Sequence, residues 1–204
     1  MRNENSAAAS VATTSVNTKK LALAAVFAAI AVVGSTFSVP VFGSKCAPVQ
    51  HLVNVLCAVF LGPAYGVAAA FIASVIRNLM GLGSLLAFPG SMCGAFLSGY
   101  LYKKLRKLPA AYVGEIFGTG IIGGILSYPI AAFIMGNPNA AVFTFVVPFL
   151  VSTCGGTLIA VIITVALSQT GFLERASKRF DRRGMCVKRA WLRLQSFDGG
   201  KGHS

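Results

Sequence analysis

The sequence predicts an all-α integral membrane protein, built as a six-helix bundle with both termini in the cytoplasm. Three observations support this prediction. The chain of 204 residues is 55% hydrophobic and only 11% charged, whereas soluble proteins contain about 25% charged residues. Nearly all of its charges fall in three short stretches, and six apolar segments occupy the rest. Such a chain has too few charges to cover a water-facing surface and is too apolar to stay disordered.

Six segments have the apolar character of membrane helices, which need about 20 residues to cross a bilayer. The second is short and begins with polar residues, and the fifth and sixth are long and rich in glycine, which permits tilting or kinking. Short links, several of them with glycine or proline, connect the segments. The six segments are residues 21–39, 48–61, 64–80, 85–102, 110–135 and 142–169.

The basic residues predict the orientation, because cytoplasmic loops of membrane proteins carry an excess of lysine and arginine. With the N-terminus inside and six crossings, 16 of the 18 basic residues face the cytoplasm. An odd number of crossings would put one basic terminus outside. We therefore expect a disordered cytoplasmic lead at 1–18, a transmembrane domain at 19–172 and a basic cytoplasmic tail at 173–204. The net charge of +13 then reflects membrane topology and indicates no nucleic-acid partner.

The sequence lacks the motifs of an enzyme or of a self-powered pump. It has no GxxxxGK[ST] phosphate loop, no GxSxG nucleophile motif and no acidic cluster for catalytic magnesium. The five cysteines include no CxxC pair, so no zinc site is indicated. We expect no catalytic residue, no metal site and no cofactor.

Polar side chains inside the apolar segments are the candidate ligand site, since an unpaired polar group in hydrocarbon costs several kcal/mol. In the predicted topology most of them gather at the outer end of the bundle, near Lys45, Ser84, Ser91, Asn137, Asn139, Phe37 and Phe42. His51 and Asn54 are three residues apart and share a helix face. Alternatively, these polar residues are ordinary helix caps. For Arg77 the alternative is that its side chain snorkels to the outer headgroups. The candidates are Gln50, His51, Asn54, Arg77, Asn78, Phe88 and Tyr128.

Glu115 is the only carboxylate in a predicted spanning segment. It lies eight positions after Lys107, so the topology puts it near the cytoplasmic end of the fifth helix. We expect it to pair with an inner-loop cation, although it stays in the candidate set for substrate binding. One intramembrane carboxylate also permits proton coupling without indicating it.

Three stretches of the chain resemble the ThiW family. They are QHLVNVLCAVFLGPAYGV, RNLMGLGSLLAFPGSMCGAFLSGYLYKK and GEIFGTGIIGGILSYPIA, and the resemblance covers about residues 19–170. ThiW proteins are S components, the substrate-binding subunits of energy-coupling factor (ECF) vitamin transporters. The resemblance implies a six-helix cell-membrane protein that captures the thiamine precursor hydroxyethylthiazole outside the cell. It also implies three partners, namely a membrane coupling subunit and two cytoplasmic ATPase subunits.

The first segment carries alanines four residues apart, a spacing that lets a second helix approach closely. The pattern resembles the motif that S components use to dock on the coupling subunit. The resemblance therefore implies a docking role for Ala24, Ala25, Ala28 and Ala29.

The ligand class stays open at this stage. Hydroxyethylthiazole is small, neutral and aromatic, and it suits apolar walls with a few hydrogen-bonding groups. The predicted outer pocket holds no acid, which disfavours cationic thiamine, whereas Lys45 and Arg77 favour an anionic vitamin. A proton-coupled carrier that uses Glu115 and a membrane assembly protein without a ligand are the remaining alternatives.

Overall fold

The protein folds as six helices that alternate in direction. The computed structural model describes residues 18–41, 44–137 and 141–171. The helices are α1 Thr18–Gly34, α2 Pro48–Phe60, α3 Pro63–Leu79, α4 Ala87–Leu105, α5 Leu108–Ile134 and α6 Val146–Gln169. The predicted all-α class and the six helical segments are confirmed. The predicted lead and tail lie almost wholly outside the described residues.

A short hairpin follows α1, which the sequence analysis did not predict. A turn of 3₁₀ helix, Ser35–Phe37, ends the first helical segment. The strands β1 Val39–Val41 and β2 Ser44–Cys46 then pair antiparallel. The prediction that the first helix runs to Val39 was wrong. The reason is local, since Pro40 cannot continue a helix and its valine neighbours favour extended backbone.

The connections between helices are short and begin new helices with proline. Leu61 and Gly62 alone join α2 to α3, and Gly62 has a φ of 82°, a conformation that favours glycine. Pro48 and Pro63 open α2 and α3, where a missing N–H costs nothing. Consecutive helices therefore run antiparallel. We call the end where α2, α4 and α6 begin the hairpin end, and the end where α1, α3 and α5 begin the basic end.

Helix α5 is irregular and packs closely on α4. It runs as α-helix over Leu108–Glu115, as π-helix over Ile116–Gly123, as α-helix over Gly124–Pro129 and again as π-helix over Ile130–Ile134. Glycines let the two backbones touch, because a Cβ at Gly114 would lie 2.6 Å from the Cα of Ser98, and one at Gly118 would lie 2.6 Å from the carbonyl oxygen of Cys93. The π segment begins directly after Glu115, and π-helical stretches are frequent at functional sites.

Three of the described helices are long and apolar enough to cross a membrane. They are Thr18–Phe37, Leu108–Ile134 and Val146–Gln169, while Pro48–Phe60 and Pro63–Leu79 are shorter apolar helices. Large apolar side chains such as Leu79, Phe133 and Val33 are exposed on the outside of the bundle. Large apolar side chains exposed in such number indicate a membrane environment. The side of the membrane on which each end lies remains a prediction.

Candidate functional site

Polar side chains from five helices meet in the interior of the bundle. Each is at least nine-tenths buried, and α2, α3, α4, α5 and α6 all contribute. We call this set the polar network; its members are Gln50, His51, Asn54, Ser74, Arg77, Ser91, Glu115, Thr119, Ser152 and Thr153.

Glu115 is the centre of the network and is fully buried. Its Oε1 accepts three hydrogen bonds, from His51 Nδ1 at 2.9 Å, Asn54 Nδ2 at 3.0 Å and Thr119 Oγ1 at 3.0 Å. Thr119 lies four residues after Glu115, on the same face of α5. A buried carboxylate needs such donors to replace the water that it has lost. These three hydrogen bonds hold Oε1 in place, and none of them involves Oε2.

His51 links Glu115 to α6. Its Nδ1 faces the carboxylate, which only accepts, so Nδ1 carries a proton. Its Nε2 lies 3.0 Å from Ser152 Oγ, and the hydroxyl of Thr153 lies 3.3 Å from Nδ1. In the neutral ring Ser152 donates to Nε2. The imidazole is thus fixed at both nitrogens.

Close approach of α6 to His51 depends on Gly156. A Cβ at Gly156 would lie 2.7 Å from both Cβ and Cδ2 of His51 and 2.8 Å from the carbonyl oxygen of Pro48. These distances are shorter than van der Waals contact, so any side chain there would push α6 away from α2. Gly156 therefore positions the Ser152 hydroxyl against the imidazole.

A second arm of the network leads from Asn54 to Arg77. Gln50 Nε2 donates to Asn54 Oδ1 at 3.2 Å, and Arg77 Nη1 donates to Gln50 Oε1 at 3.1 Å. Two side-chain amides therefore connect the guanidinium of α3 to the carboxylate of α5. Opposite charges stand at the two ends of this arm, so the network carries both signs inside the bundle.

Two polar atoms of the network have no hydrogen-bond partner among the described residues. They are Glu115 Oε2, an acceptor, and Arg77 Nε, a donor. A buried polar group left unpaired costs about 1–3 kcal/mol, and more when it is charged. Gly94 lets the backbone of α4 pack closely against the carboxylate, because a Cβ there would lie 2.8 Å from Oε2. Unpaired buried groups of this kind suit a ligand that offers one donor and one acceptor.

The predicted partner of Glu115 was wrong. The sequence analysis paired it with an inner-loop cation, but its Oε1 accepts hydrogen bonds from His51 and Asn54 of α2. Its place near the inner end of the fifth helix stays a prediction, and it is the eighth residue of α5. Helix α2 has 13 residues and rises only about 20 Å, whereas α5 has 27 residues and rises about 40 Å. Asn54 is the seventh residue of α2 and lies about 9 Å from the basic end of that helix, and Glu115 is the eighth residue of α5 and lies about 10 Å from the basic end of its own helix. The short length of α2 therefore brings Asn54 to the level of Glu115.

Arg77 does not snorkel to the surface. Its side chain points inward and is 3% exposed, because Gln50 offers it an acceptor within the bundle. Four candidates from the sequence, namely Gln50, His51, Asn54 and Arg77, thus do come together, and Glu115 joins them.

The structure places the other candidates outside the network's hydrogen-bonded centre. Asn78 Nδ2 donates to the carbonyl oxygens of Ser74 at 2.8 Å and Ser84 at 3.2 Å, which ties down the loop between α3 and α4. Phe88 packs edge-on against Phe71, with ring centroids 5.8 Å apart. Tyr128 is half-buried, nine residues beyond Thr119, or roughly 13 Å of helix. Phe37 is 75% exposed.

Four network residues were missed by the sequence analysis. They are hydroxyl residues in apolar segments and looked like ordinary helix residues, namely Ser74, Thr119, Ser152 and Thr153. The spacing of Thr119 from Glu115 was the one available signal. The side chains of Lys45, Phe42 and Asn139 lie outside what the structure describes.

The alanine motif of α1 divides between two faces. Ala24 and Ala28 are 5% and 3% exposed and lie in the same apolar core as Val53 of α2. Ala25 and Ala29 are exposed. Only the second pair is available to a partner helix, because the first is used within the bundle.

Most of the chain matches a known protein family. The model of ThiW, described as thiamine-precursor transporter protein, matches residues 21–170, a stretch that contains the whole polar network. The chain belongs to the ThiW family. The ThiW family is one of transporters and not of enzymes, so the protein is a membrane transporter protein for a thiamine precursor. No curated protein and no solved structure matches the chain.

Proposed function

We propose that this ThiW protein is the substrate-capture subunit of an ECF-type transporter in the cell membrane, and that its polar network binds hydroxyethylthiazole. One observation carries the proposal. The chain belongs to a family of thiamine-precursor transporters, and its buried network contains one acceptor, Glu115 Oε2, and one donor, Arg77 Nε, that have no partner among the described residues.

The chemistry of the ligand fits these two atoms. The hydroxyl of hydroxyethylthiazole donates a hydrogen bond and its ring nitrogen accepts one. Glu115 Oε2 is the acceptor for the hydroxyl, and Arg77 Nε is the donor that suits the ring nitrogen. Pairing either group with the ligand would relieve the cost of leaving that group unpaired, which favours the bound state.

The charges of the network favour a ligand without net charge. The candidate site does contain an acid, because Glu115 lies in the network. Arg77 and Glu115 balance each other, so an anionic or a cationic vitamin would leave one charge uncompensated in a buried site. A neutral precursor leaves the balance intact.

The proposed transport is powered by partners, since the sequence has no phosphate loop. A membrane coupling subunit and two cytoplasmic ATPase subunits supply the energy, with the coupling subunit docked on the exposed face of α1 at Ala25 and Ala29. Small residues at this spacing allow the close backbone contact that stabilises helix pairs in lipid.

Calorimetric titration of the purified full chain with hydroxyethylthiazole tests the site through Glu115→Gln. Glutamine keeps the size and can still accept at Oε1, but it places an NH₂ donor where Oε2 stood. A hydrogen bond to a charged group is worth about 1.5–3 kcal/mol, so affinity should fall roughly tenfold to a hundredfold. His51→Ala and Asn54→Ala should cause smaller losses, about threefold to tenfold.

Two controls make the result specific. Ser98→Ala removes another buried hydroxyl without a partner in the described chain and should bind as wild type does. A thiazole with ethyl in place of hydroxyethyl should bind weakly to the wild type and lose nothing further in Glu115→Gln. If Glu115→Gln binds hydroxyethylthiazole as tightly as the wild type, the carboxylate is not the hydroxyl acceptor and the proposed site is wrong.

Proton-coupled transport is the second candidate, and the His51–Glu115 pair favours it. Both groups are titratable, buried and 2.9 Å apart, the kind of pair that serves as a proton relay in carriers. Uptake into proteoliposomes that contain this chain alone decides between the two. Uptake driven by a pH gradient would support the carrier, whereas uptake that requires ATP and the ATPase subunits supports the ECF-type proposal.

A further inference from the structure

Thr157 of α6 carries a buried hydroxyl that lies outside the polar network. The residue is 3% exposed, and its Oγ1 has no hydrogen-bond partner among the described residues. An unpaired buried hydroxyl costs free energy, and most buried side-chain polar atoms in proteins have a partner in the chain or in ordered water. This hydroxyl is therefore a candidate contact for a bound molecule.

The hydroxyl of Thr157 does not bond to the backbone of its own helix. Hydroxyl side chains inside a helix commonly donate to a carbonyl oxygen three or four residues earlier. Two later residues of α6 do so, since Thr164 bonds the carbonyl oxygen of Ala160 at 2.6 Å and Ser168 bonds that of Val165 at 2.7 Å. Because Thr157 is buried and makes no such bond, its hydroxyl is directed into the bundle.

Contacts on both sides place Thr157 near the level of the network's carboxylate. Towards the hairpin end, Thr153 packs on Gly120 of α5, where a Cβ would lie 3.3 Å from Cγ2 of Thr153. Towards the basic end, Thr164 Oγ1 lies 2.6 Å from Tyr112 Oη of α5. Thr157 lies between these two contacts on α6, and the stretch of α5 between them contains the carboxylate.

The interior face of α6 is built from small residues in this region. Thr157 follows Thr153 by one helical turn, about 6 Å, and the hydroxyl of Thr153 lies 3.3 Å from Nδ1 of His51. The buried residues of α6 from Ser152 to Thr164 include none larger than threonine. No large side chain of α6 therefore separates the hydroxyl of Thr157 from the network.

We infer that Thr157 binds the O–H group of a small molecule, either the hydroxyl of the thiamine precursor or a water molecule. Both groups donate a hydrogen bond and also accept one. In the first case, which rests on the proposed function, the ligand hydroxyl donates to Glu115 Oε2 and its oxygen accepts from Thr157. Thr157 is then a specificity-determining residue for the alcohol group. In the second case a buried water pairs with the hydroxyl, as such waters do with isolated polar groups.

Thr157→Val tests the inference, because valine has the same shape and a similar helix propensity but no hydroxyl. Loss of a hydroxyl without any partner should hold or raise Tm, whereas loss of one that holds a water should lower Tm by roughly 2–4 °C. If the hydroxyl binds the ligand, the Kd for hydroxyethylthiazole should rise about threefold to tenfold. Thermal unfolding without ligand and calorimetric titration, both on the full chain in one detergent, measure the two quantities.

Thr164→Val is the matched control on the same helix. The hydroxyl of Thr164 has partners within the protein, so this change should lower Tm and leave the Kd as in the wild type. Thr157→Ser keeps the hydroxyl and should bind hydroxyethylthiazole as the wild type does. A thiazole with ethyl in place of hydroxyethyl has no oxygen for Thr157, so Thr157→Val should not weaken its binding further.

The outcomes separate the two sources and also include refutation. A higher Kd in Thr157→Val at an unchanged or higher Tm identifies the ligand hydroxyl, and a lower Tm at an unchanged Kd identifies water. Unchanged Kd with an unchanged or higher Tm overturns the inference, because the hydroxyl then binds nothing. Losses of both stability and affinity that Thr157→Ser does not reverse also overturn it, since they show a packing effect. If the wild type binds no hydroxyethylthiazole, the transport proposal fails, while the Tm comparison still decides whether Thr157 holds a water.

Discussion

Replacing Gly156 by alanine tests whether the polar network depends on close contact between α2 and α6. The new Cβ would lie 2.7 Å from two carbons of His51 and 2.8 Å from the carbonyl oxygen of Pro48. One of these neighbours is backbone and another is the Cβ of His51, so no side-chain rotation relieves all three contacts. We expect α6 to move outward, which separates Ser152 from the imidazole and weakens the hold of His51 on Glu115.

The loss of stability in Gly156→Ala has two sources, overpacking and a lost hydrogen bond. Overpacking costs about 1–3 kcal/mol, which corresponds to a fall in Tm of roughly 2–12 °C for a chain of this size. The hydrogen bond between Ser152 and His51 adds about 0.5–1.5 kcal/mol. If the carboxylate loses its alignment for the ligand, the Kd for hydroxyethylthiazole should rise about tenfold, which is equivalent to 1.4 kcal/mol.

The neighbouring glycine provides the matched control. A Cβ at Gly155 meets nothing within 4 Å, and alanine favours helix over glycine by about 0.8–1 kcal/mol. Gly155→Ala should therefore keep its Kd and hold or raise its Tm. Thermal unfolding and calorimetric titration, both in the same detergent, measure the two variants. Equal behaviour of Gly155→Ala and Gly156→Ala would refute the argument that contact with His51 shapes the site.

Two further predictions concern docking and orientation. Ala25→Trp should weaken pull-down of the coupling subunit and leave Tm unchanged because Ala25 is exposed, whereas Ala28→Trp should lower Tm because Ala28 is buried; unchanged pull-down by Ala25→Trp would remove α1 as the docking face. Tags at both termini should be inaccessible in intact cells and accessible after permeabilisation, and a terminal tag labelled in intact cells would contradict the predicted orientation.

The number and the apolar character of the helices could be predicted from the sequence because both follow from composition. The positions of several helix starts were also close, since Pro48 and Pro63 mark them in the sequence. The hairpin was missed because β1 and β2 are only three residues each and β1 continues the apolar run of the first segment. The π-helical stretches of α5 were missed as well, since glycine-rich segments predict flexibility without predicting its form.

The candidate site was predicted in part. His51 and Asn54 were placed on one helix face by their spacing, and the structure joins both to the same oxygen of Glu115. The sequence could not predict which residues of the other helices contact these two, because the level of each residue within the bundle depends on helix length and on glycine contacts. Gly156 shows this clearly, since only the packed structure places it against the imidazole.

The polar network places charges of both signs inside the bundle. Arg77 and Glu115 are buried, and the side-chain amides of Gln50 and Asn54 connect them. This arrangement suits a neutral ligand, because a charged one would leave one charge uncompensated in a buried site. His51 and Asn54 both bond Oε1 of Glu115, so a ligand that bonds Oε2 leaves the internal contacts of the carboxylate in place.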